Sequence, residues 1–184
     1  VYFHPGWLPA HRKVLDTFPN VGMVTGMPIL TPQKFSTATI KWAKKTKAVK
    51  MEEGQLISWE DFWRHARTLG DEESNAREFY EKTPAVKLSY KGQETFPGAA
   101  HFQLAARKST LMKLLPIDAE RPMGRVRLLD EAINKQAFLR LSTQEWHVEH
   151  MGNTLPSDSG QSIPQSSKRR ALKKWGPIRR SLRW

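Results

Sequence analysis

The sequence predicts an α/β fold, a mixed sheet with flanking helices, and three stretches predict it. An amphipathic helix pattern from Trp7 to Phe18 runs into the short apolar strand Val21–Thr25, a capped helix opens at Ser58, and a helix pattern from Leu128 to Gln136 runs into a strand at Phe138–Ser142. Helices that alternate with short apolar strands bury their stripes against the faces of a sheet.

Taken in order, Val1-Tyr2-Phe3 reads as the end of a buried central strand whose earlier part precedes the sequence. Trp7–Phe18 carries Leu8, Val14, Leu15 and Phe18 on one side, and Pro19-Asn20 ends it. Thr31–Gly54 is Lys-rich and poorly periodic, which predicts a surface excursion. Ser58 with Asp61 forms a capping-box pattern; Trp59, Phe62, Trp63, Ala66 and Leu69 share a face, and Gly70 is placed as a stop. A more polar helix follows over Asp71–Lys82, then a strand over Lys87–Tyr90. Phe96–Ala100 reads as a small-residue loop leading into a strand at His101–Ala106. Ser109–Leu115 is helical, Pro116–Arg127 a loop, and paired strands are predicted near Phe138–Ser142 and Trp146–His150. Beyond Asn153 the composition turns to Ser, Pro, Gln and Gly, so the domain is expected to span 1–155, a linker 156–167 and a basic tail 168–184.

With 184 residues, 39% of them hydrophobic, 7 Trp and 8 Phe, the chain has material for one real core. No apolar run nears the roughly 20 residues that cross a bilayer. The absence of Cys removes disulfides, thiolate nucleophiles and the cytosine-deaminase reading of His147-Val148-Glu149, which needs a Cys pair. It fits a reducing, cytoplasmic location. The net charge of +12 is unevenly placed: eight of the 30 basic residues and no acid fall in Lys168–Trp184, leaving 22 basic against 18 acidic residues, or +4, elsewhere. In that tail Leu172, Trp175, Ile178 and Leu182 alternate with cations, which suits a peripheral anionic membrane surface and, less well, nucleic acid; Gly176-Pro177 interrupts both, and a disordered solubilising tail explains the charge equally.

Two side-chain sets can carry chemistry. Asp130 and Glu131 open a helix, where the dipole favours carboxylates, although acids also simply cap and solubilise such starts. His147 and His150 offer imidazole to Mn²⁺ or Zn²⁺, but strand alternation sends them to opposite faces, so one at most faces a site. A His bonded to backbone at a strand end is the plain alternative.

In order and spacing, Val1–Leu8, Val21–Gly26, Gly98–Ala106, Leu129-Asp130-Glu131 and His150 resemble family-two glycosyltransferases, the GT-A group that uses nucleotide-sugar donors. The likeness covers Val1–Asn153 with a gap over Pro32–Thr95. It implies a partial GT-A, Rossmann-like mixed sheet whose nucleotide-binding half precedes Val1, together with the Asp-x-Asp motif that holds Mn²⁺ or Mg²⁺. None of the six Asp here lies two positions from another. The activity implied is sugar transfer from a nucleotide-sugar donor to the hydroxyl of a glycan or other acceptor, with inversion, and the chain by itself is expected to be inactive. Asp130 would be the base, with Glu131 the alternative because the family's usual Glu-Asp order is here Leu-Asp-Glu. His150 would contribute to the metal or diphosphate, and Gly98, Ala99 and Ala100 to substrate binding. Trp59 and Trp63 could stack on a sugar ring, although an aromatic stripe at this spacing is more often core. The rival functions are a nucleic-acid-binding or anionic-surface-binding protein acting through the tail, and an interaction module without chemistry.

Overall fold

A computed structural model of the chain describes residues 1–115 and 126–151. The first elements are strand β1 (Tyr2–Phe3), helix α1 (Trp7–Thr17) and strand β2 (Val21–Thr25). A 3₁₀ turn over Gln33–Phe35 leads to α2 (Thr37–Lys45) and β3 (Lys50–Gly54). Helix α3 (Trp59–Ala66) continues as a 3₁₀ turn, Arg67–Leu69, and is followed by α4 (Glu73–Lys82). Strands β4 (Ala85–Tyr90) and β5 (Gln93–Pro97) precede α5 (Lys108–Leu114), α6 (Val126–Lys135), β6 (Leu139–Thr143) and β7 (Val148–Glu149).

Five strands form one mixed sheet in the order β2-β6-β5-β4-β3. β2 and β6 run parallel, with Val24 opposite Leu141, and the other neighbours are antiparallel. Alternation along β6 decides what each face does. Leu139 and Leu141 join Val14, Phe18, Val24, Ile40 and Leu88 in a core against α1 and α2, each such side chain contributing roughly 1.5–3 kcal/mol on burial. Arg140 and Ser142 alternate with them, so β6 carries a buried cation on the other side. A second core joins Met23, Leu114, Ile133 and Phe138 beneath α5 and α6.

The helix at Ser58 forms as its sequence dictates: Ser58 Oγ accepts from the Asp61 amide at 3.0 Å, the serine half of a capping box, and the αL residue Gly70 follows its last turn. α1 differs in its inner stripe, where His11 is fully buried beside Val14, whereas Leu8 is 48% exposed.

Several expectations are corrected. Val1–Phe3 is not a central strand: Tyr2 and Phe3 are exposed and pair with β7 in a separate two-stranded sheet. The predicted pairing of Phe138–Ser142 with Trp146–His150 therefore fails, because β6 is taken by β2 and β5. Thr31–Gly54 is no excursion. α2 buries Thr39, Ile40 and Ala43, a face half made of small or hydroxyl-bearing residues that hydrophobic counting misses, and β3 is a charged edge strand held by its ladder to β4. His101–Ala106 is irregular apart from one bridge, Ala105 to Val24, and the strand in that region is β5, whose Pro97 sits at its last position. The Ala105 bridge shields the outer edge of β2. Finally, α6 begins at Val126, which places Asp130 in its second turn rather than at its start.

The expected loop from Pro116 to Arg127 lies outside the described residues as far as Arg125, as do the linker 156–167 and the tail 168–184. Among the described residues no helix is long and apolar enough to cross a membrane.

Candidate functional site

Asp130 and Arg140 meet because α6 packs directly against the strand that follows it. Arg140 is 2% exposed, and its guanidinium reaches Asp130 Oδ1 at 3.0 Å. It also donates to the Ala99 carbonyl at 2.9 Å and the Phe35 carbonyl at 2.6 Å. One side chain thus ties the 3₁₀ turn before α2, the loop after β5 and the acid on α6 to one point. Burial pushes the Arg140 guanidinium below its ordinary pKa, and the Asp130 charge opposes that shift. His101 Nε2 donates to the same Oδ1 at 2.8 Å. Both contacts fall on the same oxygen, Oδ1.

Asn134, one turn beyond Asp130, holds the backbone in place. Its amide nitrogen donates to the carbonyls of Asp130 (2.9 Å) and Phe35 (3.1 Å), while its oxygen accepts from the Ala38 amide at 3.1 Å, satisfying a donor in the first turn of α2.

A cavity of about 580 Å³ opens over this cluster. Asp130, Arg140, His101, Ala99 and Ala100 line one side, and Ile57, Phe62, His65, Ala66, Leu69, Ala76 and Phe79 supply apolar and imidazole surface from α3, α4 and their flanks. Three wall residues carry buried polar atoms without a protein partner, Thr31 Oγ1, His65 Nδ1 and Arg140 Nε. Such atoms are costly unless something else satisfies them. Burial, reinforced by the charge of His150, lowers the His65 pKa to about 4, so its ring is neutral at neutral pH.

The two carboxylates weighed as base separate here. Asp130 lines the cavity with its side chain 14% exposed, whereas Glu131 is exposed and does not line it. Asp130 lies one turn inside α6, away from the helix start, and its carboxylate pairs with the guanidinium of Arg140. Ala99 and Ala100 form wall, but Gly98 stands behind it: at φ +122 it donates to the Arg140 carbonyl, and a Cβ there would meet Thr31 Oγ1 at 2.9 Å. Trp59 and Trp63 stack on each other with centroids 5.7 Å apart, Arg77 covers Trp59, and neither ring lines the cavity; from the same helix Phe62 does.

His150 sits beside the cavity, 5.9 Å from His65 between ring centroids. Because the Thr68 hydroxyl donates to the His65 carbonyl, His150 Nδ1–H donates to Thr68 Oγ1 at 3.0 Å. One imidazole does not make a cation site. Among the described residues no three His, Asp or Glu side chains are grouped to hold a metal ion, so the residues present do not fit Mn²⁺ or Mg²⁺ by themselves.

A second polar cluster lies behind the site. His11 Nδ1–H donates to the Trp7 carbonyl (2.6 Å), its Nε2 accepts from Gln103 (3.0 Å), and Gln103 Oε1 accepts from the Gly26 amide (3.1 Å). Thr25 Oγ1 donates to the Gln103 carbonyl at 3.0 Å and accepts from the Ala100 amide at 2.8 Å, which fixes the cavity wall at Ala100. Sequence reasoning missed His101, Arg140, His11 and Gln103. A signal existed only for Arg140, a cation inside the apolar strand Phe138–Ser142.

No protein-family model, curated protein or solved structure matches this chain.

Proposed function

We propose that this chain forms the acceptor side of a glycosyltransferase of the GT-A kind, acting on a nucleotide-sugar donor, with Asp130 as the base. The observation that carries the proposal is the Asp130 carboxylate, held at Oδ1 by Arg140 and His101 in a residue that lines a cavity. An acceptor alcohol donates its hydroxyl proton to Oδ2. Its oxygen attacks the anomeric carbon as the bond from that carbon to the diphosphate breaks, the proton stays on Asp130, and one displacement inverts the anomeric configuration. Arg140 and His101 act as positioning residues that hold the carboxylate still.

The test is Asp130→Asn in the protein that carries this chain, assayed for sugar transfer with a panel of nucleotide sugars. The amide keeps the shape and the Arg140 contact but cannot take the proton. Turnover should fall by roughly 10²–10⁴-fold with little change in donor KM. Turnover near that of the unaltered protein would place the base elsewhere.

A further inference from the structure

The charged floor occupies one side of the cavity, and the wall from α3, α4 and their flanks is mostly apolar, Ile57, Phe62, Ala66, Leu69, Ala76 and Phe79, with His65, Asp71 and Asn75 among them. Two of these lining residues, Leu69 and Phe79, are large apolar side chains left 56% and 38% exposed. A free sugar placed there would set most of its hydroxyls against carbon, since the polar lining residues, Asp130, Arg140, His101, Thr31, His65, Asp71 and Asn75, make up the smaller part of the cavity surface. An apolar body on the same wall loses nothing and removes Leu69 and Phe79 from water.

We infer that the acceptor is an alcohol carried on an apolar body, with its hydroxyl-bearing head at Asp130 Oδ2 and the body against α3 and α4. The inference rests on the reading of this cavity as the acceptor site. Rings already in the wall, Phe62 and Phe79 stacked with centroids 5.9 Å apart, receive either an alkyl chain or an aromatic ring. At about 580 Å³ the cavity is in the size range of small-molecule sites.

The experiment is equilibrium binding to the full chain without donor, followed by tryptophan fluorescence and by calorimetry, using octyl β-glucoside below its micelle concentration, phenyl β-glucoside and methyl β-glucoside. Octyl or phenyl glucoside should bind at least about tenfold more tightly than methyl glucoside. Whichever of the two is tighter identifies the body as chain or ring, and either order supports the proposal. The double variant Leu69→Asn/Phe79→Asn alters two already exposed positions, so folding should survive, and it should weaken the tighter probe by about tenfold or more. Equal affinity for the three glucosides, or a tight probe indifferent to the double variant, overturns the inference. Glu131→Gln, at an exposed residue that does not line the cavity, should leave this binding within about threefold. Failure of binding and failure of the base assignment are thereby read on separate instruments.

Discussion

Two buried polar clusters built from similar residues behave oppositely. Around His11 both ring nitrogens, the Gln103 amide and the Gly26 amide are bonded to one another, and nothing is left over. Around Asp130, among the described residues, Arg140 and His101 both bond one carboxylate oxygen, and three residues that line an open cavity, Arg140, His65 and Thr31, carry buried polar atoms without a partner. Polar groups cost free energy inside a protein unless they are bonded, so a closed network is scaffold, and one left incomplete around a cavity is where a ligand can be recognised. A buried His or Asp is therefore not itself a mark of function. What distinguishes the two regions is whether the hydrogen bonds are complete.

The largest effect that would break this contrast comes from Arg140→Leu. It strands the Asp130 carboxylate and the carbonyls of Ala99 and Phe35, and should cost about 3–5 kcal/mol in urea unfolding. A loss below about 1 kcal/mol would mean that the cluster is already solvated and not a buried pair.

Next comes pH. The unfolded His65 titrates near the ordinary histidine value of 6.5 and the folded one at about 4, so between these values the unfolded chain binds more protons. His65 therefore contributes stability that is present above pH 6.5 and lost as pH falls toward 4, up to about 3 kcal/mol. Burial also lowers the His147 pKa, which adds a slope of the same sign. His65→Phe should flatten the profile across this window, as followed by thermal melts; an unchanged slope would assign the acid sensitivity to His147 or elsewhere.

The smallest effect sharpens the other side of the comparison. A Cβ at Gly26 would lie 2.4 Å from His11 Cε1, so Gly26→Ala forces the closed network apart and should cost about 1–3 kcal/mol. Because that network is scaffold, glucoside binding by the fraction still folded should be unchanged. A binding loss as large as that of Leu69→Asn/Phe79→Asn would join the two clusters into one functional unit.

What the sequence determined by itself was the set of locally encoded elements. Trp7–Thr17, Val21–Thr25, the Ser58-capped helix, α4 and α5 follow from short-range periodicity, caps and turn residues, all of which act within about one or two helical turns. Asp130 was also legible, as a carboxylate on a helix that feeds a strand. Strand partnership was not. β6 lies between β2 and β5, and β7 lies beside β1, through contacts between residues far apart in the chain that leave no local trace. The same limit hid the site. His101 lies 29 residues from Asp130, and α2 hides its buried face behind Thr and Ala. Only tertiary structure decided that Asp130 rather than Glu131 faces a cavity, that Phe62 rather than Trp59 or Trp63 forms its wall, and that His11 is finished and Arg140 is not. The physical reason is that periodicity fixes which face a residue occupies along its own element, whereas a site depends on which other element that face meets.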